Sequence, residues 1–83
     1  MDKFKVWLRP GGHDCKIRIA GMEHAAFLRE RLQAKGFPCT EAEPVGGGRQ
    51  CVLHASYPPH ANFEALQHYV SEVPEVELML DPA

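Results

Sequence analysis

The sequence predicts an α+β fold, a ferredoxin-like α/β sandwich of order β-β-α-β-β-α-β, in which two helices cover one face of a mainly antiparallel five-stranded sheet. Three observations carry that prediction. Several stretches alternate apolar and polar residues, two others place apolar residues on a helical stripe, and glycine or proline separates neighbouring stretches. With 83 residues, 45% hydrophobic and 24% charged, the chain reads as one domain, residues 1–83, because so short a chain holds a single core. Such a chain buries only about 60–65% of the surface it exposes on unfolding, so support from a partner chain is an open option.

The elements follow in order. Phe4, Val6 and Leu8 alternate with Lys3, Lys5, Trp7 and Arg9, a first strand. Pro10-Gly11-Gly12-His13-Asp14 is dense in turn formers, and Cys15, Ile17 and Ile19 then alternate with Lys16 and Arg18, completing a hairpin. From Met22 the period becomes helical, with Met22, Ala25, Ala26, Leu28 and Leu32 on one stripe and Phe27 projecting roughly opposite it, either an exposed aromatic or one covered by a loop or terminus. Gly36 stops the helix, Phe37 supplies the apolar contact beyond it, and Pro38 forbids continuation. Cys39 to Val45 is a short edge strand with Glu41 and Glu43, and Gly46-Gly47-Gly48 is a turn rather than a phosphate loop. Arg49 to Tyr57 is a central strand ended by Pro58-Pro59. Asn62 caps a second helix with the stripe Phe63, Leu66, Tyr69, Val70 and Val73, stopped by Pro74. Val76, Leu78 and Leu80 alternate with Glu77, Met79 and Asp81 as the last strand.

Right-handed crossovers through the two helices put both on one face of the sheet. The first strand is the unplaced piece. Either it wedges between the Cys15 strand and the last strand, or it pairs with another chain. The two β-β-α units also align as an imperfect repeat, Cys15-Lys16-Ile17-Arg18-Ile19 against Cys51-Val52-Leu53-His54-Ala55. The stretch from Ala25 to Pro38 resembles the first-helix region of SPOR domains, small ferredoxin-like modules that bind septal peptidoglycan. That resemblance covers about one sixth of the chain. No matching glycine follows the strand ending near Tyr57, and an extra strand precedes the module, so the likeness is read as a shared way of stopping a helix.

Charge is segregated along the chain. The net charge of −2 argues against a uniformly basic nucleic-acid or membrane binder. Residues 1–18 nevertheless hold five basic and two acidic side chains, +3, which leaves four basic against nine acidic, −5, in the other 65. If the helices cover the side of Val6, Leu8, Ile17, Ile19, Leu53, Leu78 and Leu80, the opposite side shows Lys3, Lys5, Trp7, Arg9, Lys16, Arg18, Val52 and His54. A small non-enzymatic binding module is expected, contacting a protein partner or its own copy through Trp7, Arg9, Lys16, Arg18, Val52 and His54, with Trp7, Val52 and Met79 an apolar island in a charged rim. The alternative is single-stranded RNA or DNA, its phosphates on the basic groups and its bases on Trp7 and His54. Against the nucleic-acid reading stands cross-strand neutralisation by Glu41, Glu43, Glu77 and Asp81.

No secretion signal or membrane span is visible, so a cytoplasmic address without membrane contact is expected. Cys15, Cys39 and Cys51 are an odd set at no framework spacing and are expected to remain buried thiols. A metal site is less expected: His13 and Cys15 could share one side of a strand, but Cys51 and His54 fall on opposite sides, and structural zinc needs four converging ligands. His24, His60 and His68 are expected on helix surfaces or in loops. No nucleophile elbow, P-loop, dinucleotide fingerprint or metalloprotease helix is present, so no enzyme activity and no cofactor is expected.

Overall fold

A computed structural model describes residues 3–80. Strict alternation becomes strand β1 (Phe4–Pro10), β2 (Asp14–Ala20), β4 (Gln50–Ser56) and β5 (Val76–Leu80), and a three-residue β3 (Glu43–Val45) lies at one edge. The helical stripes become α1 (Met22–Ala34) and α2 (Phe63–Ser71). The sheet is mixed and runs β3-β4-β2-β1-β5, with β1 parallel to β5 and the other neighbours antiparallel. The first strand is therefore wedged between β2 and β5, and the vacancy that a second chain could have filled there does not exist. Cys15 pairs with Ala55 and Ile19 with Cys51, so the two similar segments meet as the central antiparallel pair.

One face of every long strand is sealed. Val6, Cys15, Ile17, Ile19, Leu53 and Ala55 are fully buried beneath Ala25, Leu28 and Leu32 of α1 and Leu66 and Val70 of α2. Burying one such large apolar side chain is worth about 1.5–3 kcal/mol, so this layer supplies most of the drive to fold. The helix ends follow their residues. Gly36 adopts φ 95°, which a Cβ would strain, and lets Phe37 N–H donate to Leu32 O at 2.9 Å and Gly36 N–H to Gln33 O at 3.0 Å. Phe37 is then tucked into the core. Asn62 caps α2 as expected, its Oδ1 accepting from Ala65 N–H at 2.9 Å.

Three sequence expectations change. Met22 and Ala26 lie outside the core, Met22 being 49% exposed. Phe27, expected to be either exposed or covered by a loop or terminus, is half-buried by other means: it meets Phe4 of β1 edge-on at 6.0 Å, and the Arg31 guanidinium covers it at 5.0 Å. The covered flank of α1 faces β1, and the bare flank faces β3. β3 is also shorter than the stretch from Cys39 to Val45. Residues 41–42 leave the sheet, and Cys39 keeps only an isolated bridge to Ala55. A three-residue strand cannot cover the helix side above it. Among the described residues, no helix is long and apolar enough to cross a membrane.

Candidate functional site

The residues that alternate with the core form the open face of the sheet. Strand register places one of them from each strand in a single row: Met79 opposite Trp7, Trp7 opposite Arg18, Arg18 opposite Val52, and Val52 opposite Glu43. A second row follows beside it, Arg9 opposite Lys16 and Lys16 opposite His54. All six residues singled out from the sequence are thus brought together, three in each row. Met79 and Glu43 complete the first row at the two edges.

The first row is half-buried up to the exposed Glu43 at its end and apolar at Met79, Trp7 and Val52; the second is basic and exposed. Trp7, Arg18, Val52 and Met79 are each partly covered, whereas Arg9, Lys16 and His54 are open to water. The Arg18 guanidinium lies over the Trp7 ring at 4.8 Å from its centre. Such a cation–π contact contributes about 0.5–1 kcal/mol where solvent reaches it. Arg18 Nε is screened from water there and has no hydrogen-bond partner among the described residues, an orphan donor that an incoming acceptor could satisfy. His54 is fixed through its backbone, its N–H donating to Thr40 Oγ1 at 3.0 Å and its carbonyl accepting from Thr40 N–H at 2.9 Å.

Neutralisation is partial. Glu77 stands directly opposite Lys5, and Glu43 ends the first row. Asp14, opposite Ser56, is a further carboxylate on this side. Yet the only ion pair within 4.0 Å among the described residues is His68–Glu72 on α2, at 2.7 Å and solvent-exposed. Glu41 belongs to the segment beside α1, away from the rows, and Asp81 lies outside the described residues. Arg9, Lys16 and Arg18 are therefore not held in close ion pairs among the described residues.

The thiols are placed for packing. Cys15 and Cys51 are buried and Cys39 is half-buried. Burial pushes the Cys15 thiol up to about 12 and raises that of Cys39, the reverse of what a nucleophile needs. The Cys51 thiol lies 2.9 Å from Met22 Sδ. His13 is exposed while Cys15 is buried, and among the described residues no three His, Cys, Asp or Glu side chains are grouped to hold a metal. His24 on α1 stacks flat on Phe4 at 4.4 Å and its Nδ1–H donates to Ala20 O at 2.8 Å; His60 is in a loop and His68 on α2.

Sequence reasoning missed one concavity. A groove of about 460 Å³ runs between α1 and residues 41–42, lined by Met22, Ala26, Arg29, Glu30 and Glu41. Its signal in the sequence was Met22 followed four residues later by small Ala26, a pair read there as core. No family model, curated protein or solved structure matches the chain.

Proposed function

We propose that this domain is a non-enzymatic interaction module that docks another protein on the open face of its sheet. The observation that carries this reading is the row Met79, Trp7, Arg18 and Val52, half-buried with three apolar members and a guanidinium, which ends at the exposed Glu43 and lies beside the exposed cations Arg9 and Lys16. A centre of Trp and Arg with a polar rim is the composition of protein interfaces, where a few aromatic and arginine anchors carry most of the affinity. Charge complementarity favours a partner with acidic residues around an apolar anchor. The reading involves no cofactor or metal and includes a cytoplasmic address.

The ferredoxin-like description of the fold belongs here as well. Leaving β1 out of the strand order gives β3-β4-β2-β5 with both helices on one side, and the inserted strand extends the open face by Lys5, Trp7 and Arg9. Single-stranded nucleic acid is the second reading, favoured by the cationic row with no carboxylate within 4.0 Å among the described residues. It is the weaker one because Arg18 already occupies a face of the tryptophan that a base would need.

Trp7 is the only tryptophan, so its emission reports on this face. Proteins retained by the immobilised domain are compared between the wild type and a Trp7→Ala/Arg18→Glu variant, and each retained protein is titrated while Trp7 emission is followed. The proposal expects a partner that shifts the emission and is lost with the variant. Salt-dependent quenching by oligonucleotides, with no protein retained differentially, would replace it with the nucleic-acid reading.

A further inference from the structure

The two edges of the sheet are not equivalent. Beyond β4 the edge is closed piecewise: Ser56 N–H donates to Pro38 O at 2.8 Å, Thr40 brackets His54, and β3 covers Gln50 to Val52 with Pro44, which has no N–H to offer, at its centre. Short pieces and an edge proline are how sheets discourage further pairing. β5, five residues long and free of proline, is the last strand on the other side among the described residues.

The hydrogen-bond phase of β5 states which of its groups are open. Phe4 N–H donates to Glu75 O at 2.9 Å, and Phe4 stands opposite Val76 in the parallel register. Alternation along a parallel ladder then turns the N–H and C=O groups of Glu77 and Met79 toward β1 and those of Leu78 and Leu80 outward. Val76 N–H is already taken by Val73 O at 3.1 Å, which leaves its carbonyl. Leu78 is also only partly buried although it packs against the core.

We propose that β5 pairs antiparallel with β5 of a second copy about a two-fold axis at Leu78. Within β5, charge separates an axis at Glu77 from one at Leu78. An axis at Glu77 would set Glu77 against Glu77 of the second copy in a close, non-hydrogen-bonded pair, which like charges oppose. An axis at Leu78 sets Glu77 against Met79 of the second copy on the open face. There the outward N–H and C=O of each Leu78 bond its counterpart, and each Leu80 N–H meets the carbonyl of Val76 across the axis. The two leucines at position 78 close over the exposed end of the core. Such a contact is isologous and closes at two chains, joining the two open faces into one ten-stranded surface.

Sedimentation equilibrium from micromolar to millimolar protein tests this, together with amide exchange. The dimer is expected to be reversible. Met79→Glu restores a like-charge pair on each side of the axis and weakens it roughly tenfold, whereas Met79→Lys faces Glu77 of the second copy and strengthens it. In the unaltered protein, exchange at the Leu78 amide slows as concentration rises, and exchange at Val45 in β3 does not. A monomer at all concentrations, equal effects of the two substitutions, or concentration-independent exchange at Leu78 would each overturn the proposal. Association abolished by Arg18→Glu with Leu78 exchange unchanged would overturn it too, moving the contact to the open face.

Discussion

The two faces of the sheet are made from alternate residues of the same strands, yet different forces hold them. In β2, Cys15, Ile17 and Ile19 are fully buried while Lys16 is exposed and Arg18 half-covered. The sealed face is maintained by exclusion of water and close packing, which act at any ionic strength. The open face has one cation–π contact and the half-buried Trp7, Val52 and Met79, while its exposed cations have no close carboxylate partner among the described residues and add no attraction of their own. One face therefore specifies the fold. The other is free to be specified by whatever binds it, because changing it costs the fold little.

The sharpest way to break this contrast is a pair of neighbours. Ile17→Ala removes a fully buried side chain at the centre of the sheet and should cost about 2–5 kcal/mol in urea unfolding, enough to threaten so small a domain. Arg18→Ala, the next residue, should cost less than about 1 kcal/mol. Equal losses at both positions would mean that the open face is structural.

Alkaline pH probes the sealed face without a substitution. Burial raises the folded-state pKa of Cys15 to about 12 from an ordinary thiol value of 9.0. The stability linked to it is complete below the unfolded-state pKa and is lost as pH rises from about 9 toward 12, because the unfolded chain releases the proton first. Unfolding midpoints in urea should fall above pH 9, and Cys15→Ala should flatten that decline. Consistently, a thiol reagent at neutral pH should label half-buried Cys39 before Cys15 or Cys51.

The same contrast separates what the sequence disclosed from what it did not. Alternation assigns residues to faces without knowledge of the neighbours, so Ile17 inside and Arg18 outside were readable, as were the Asn62 cap and the Gly36 stop. A helical stripe is less informative about its flanks. Met22 lies outside the core it was expected to join and Phe27 is half-covered because the flank of α1 toward β1 meets Phe4, while the flank toward β3 finds only three strand residues. Periodicity within α1 carries no record of either neighbour. The six face residues, and Met79 beside them, were named from the sequence, but their division into two rows and the place of Glu43 at the end of the first required the register. Where β1 enters the sheet is a long-range pairing that left two solutions open.

A smaller effect tests whether the helices merely cover the sealed face or are fastened to it. Asn62→Ala removes the side-chain acceptor of Ala65 N–H at the start of α2 and should cost about 1 kcal/mol, read as a lowered urea midpoint with an unchanged slope. Trp7 emission and its response to a bound partner should stay the same, since α2 lies on the other side of the sheet from Trp7.

The smallest expected effect on stability carries the most about binding. Lys16 is exposed, flanked by Arg9 and His54, and has no carboxylate within 4.0 Å among the described residues. Lys16→Glu should shift the urea midpoint by no more than about 0.5 kcal/mol, because surface substitutions away from caps and cores are nearly neutral. For an acidic partner the same change reverses one charge in the second row. It should slow association and flatten its dependence on ionic strength, with little change in dissociation, because charges at an interface rim act chiefly on the encounter. Association rates measured at low and high salt separate this from a role in packing. If Lys16→Glu left both rates unchanged while Trp7→Ala abolished binding, the cationic row would be solvated surface and the apolar row alone would be the site.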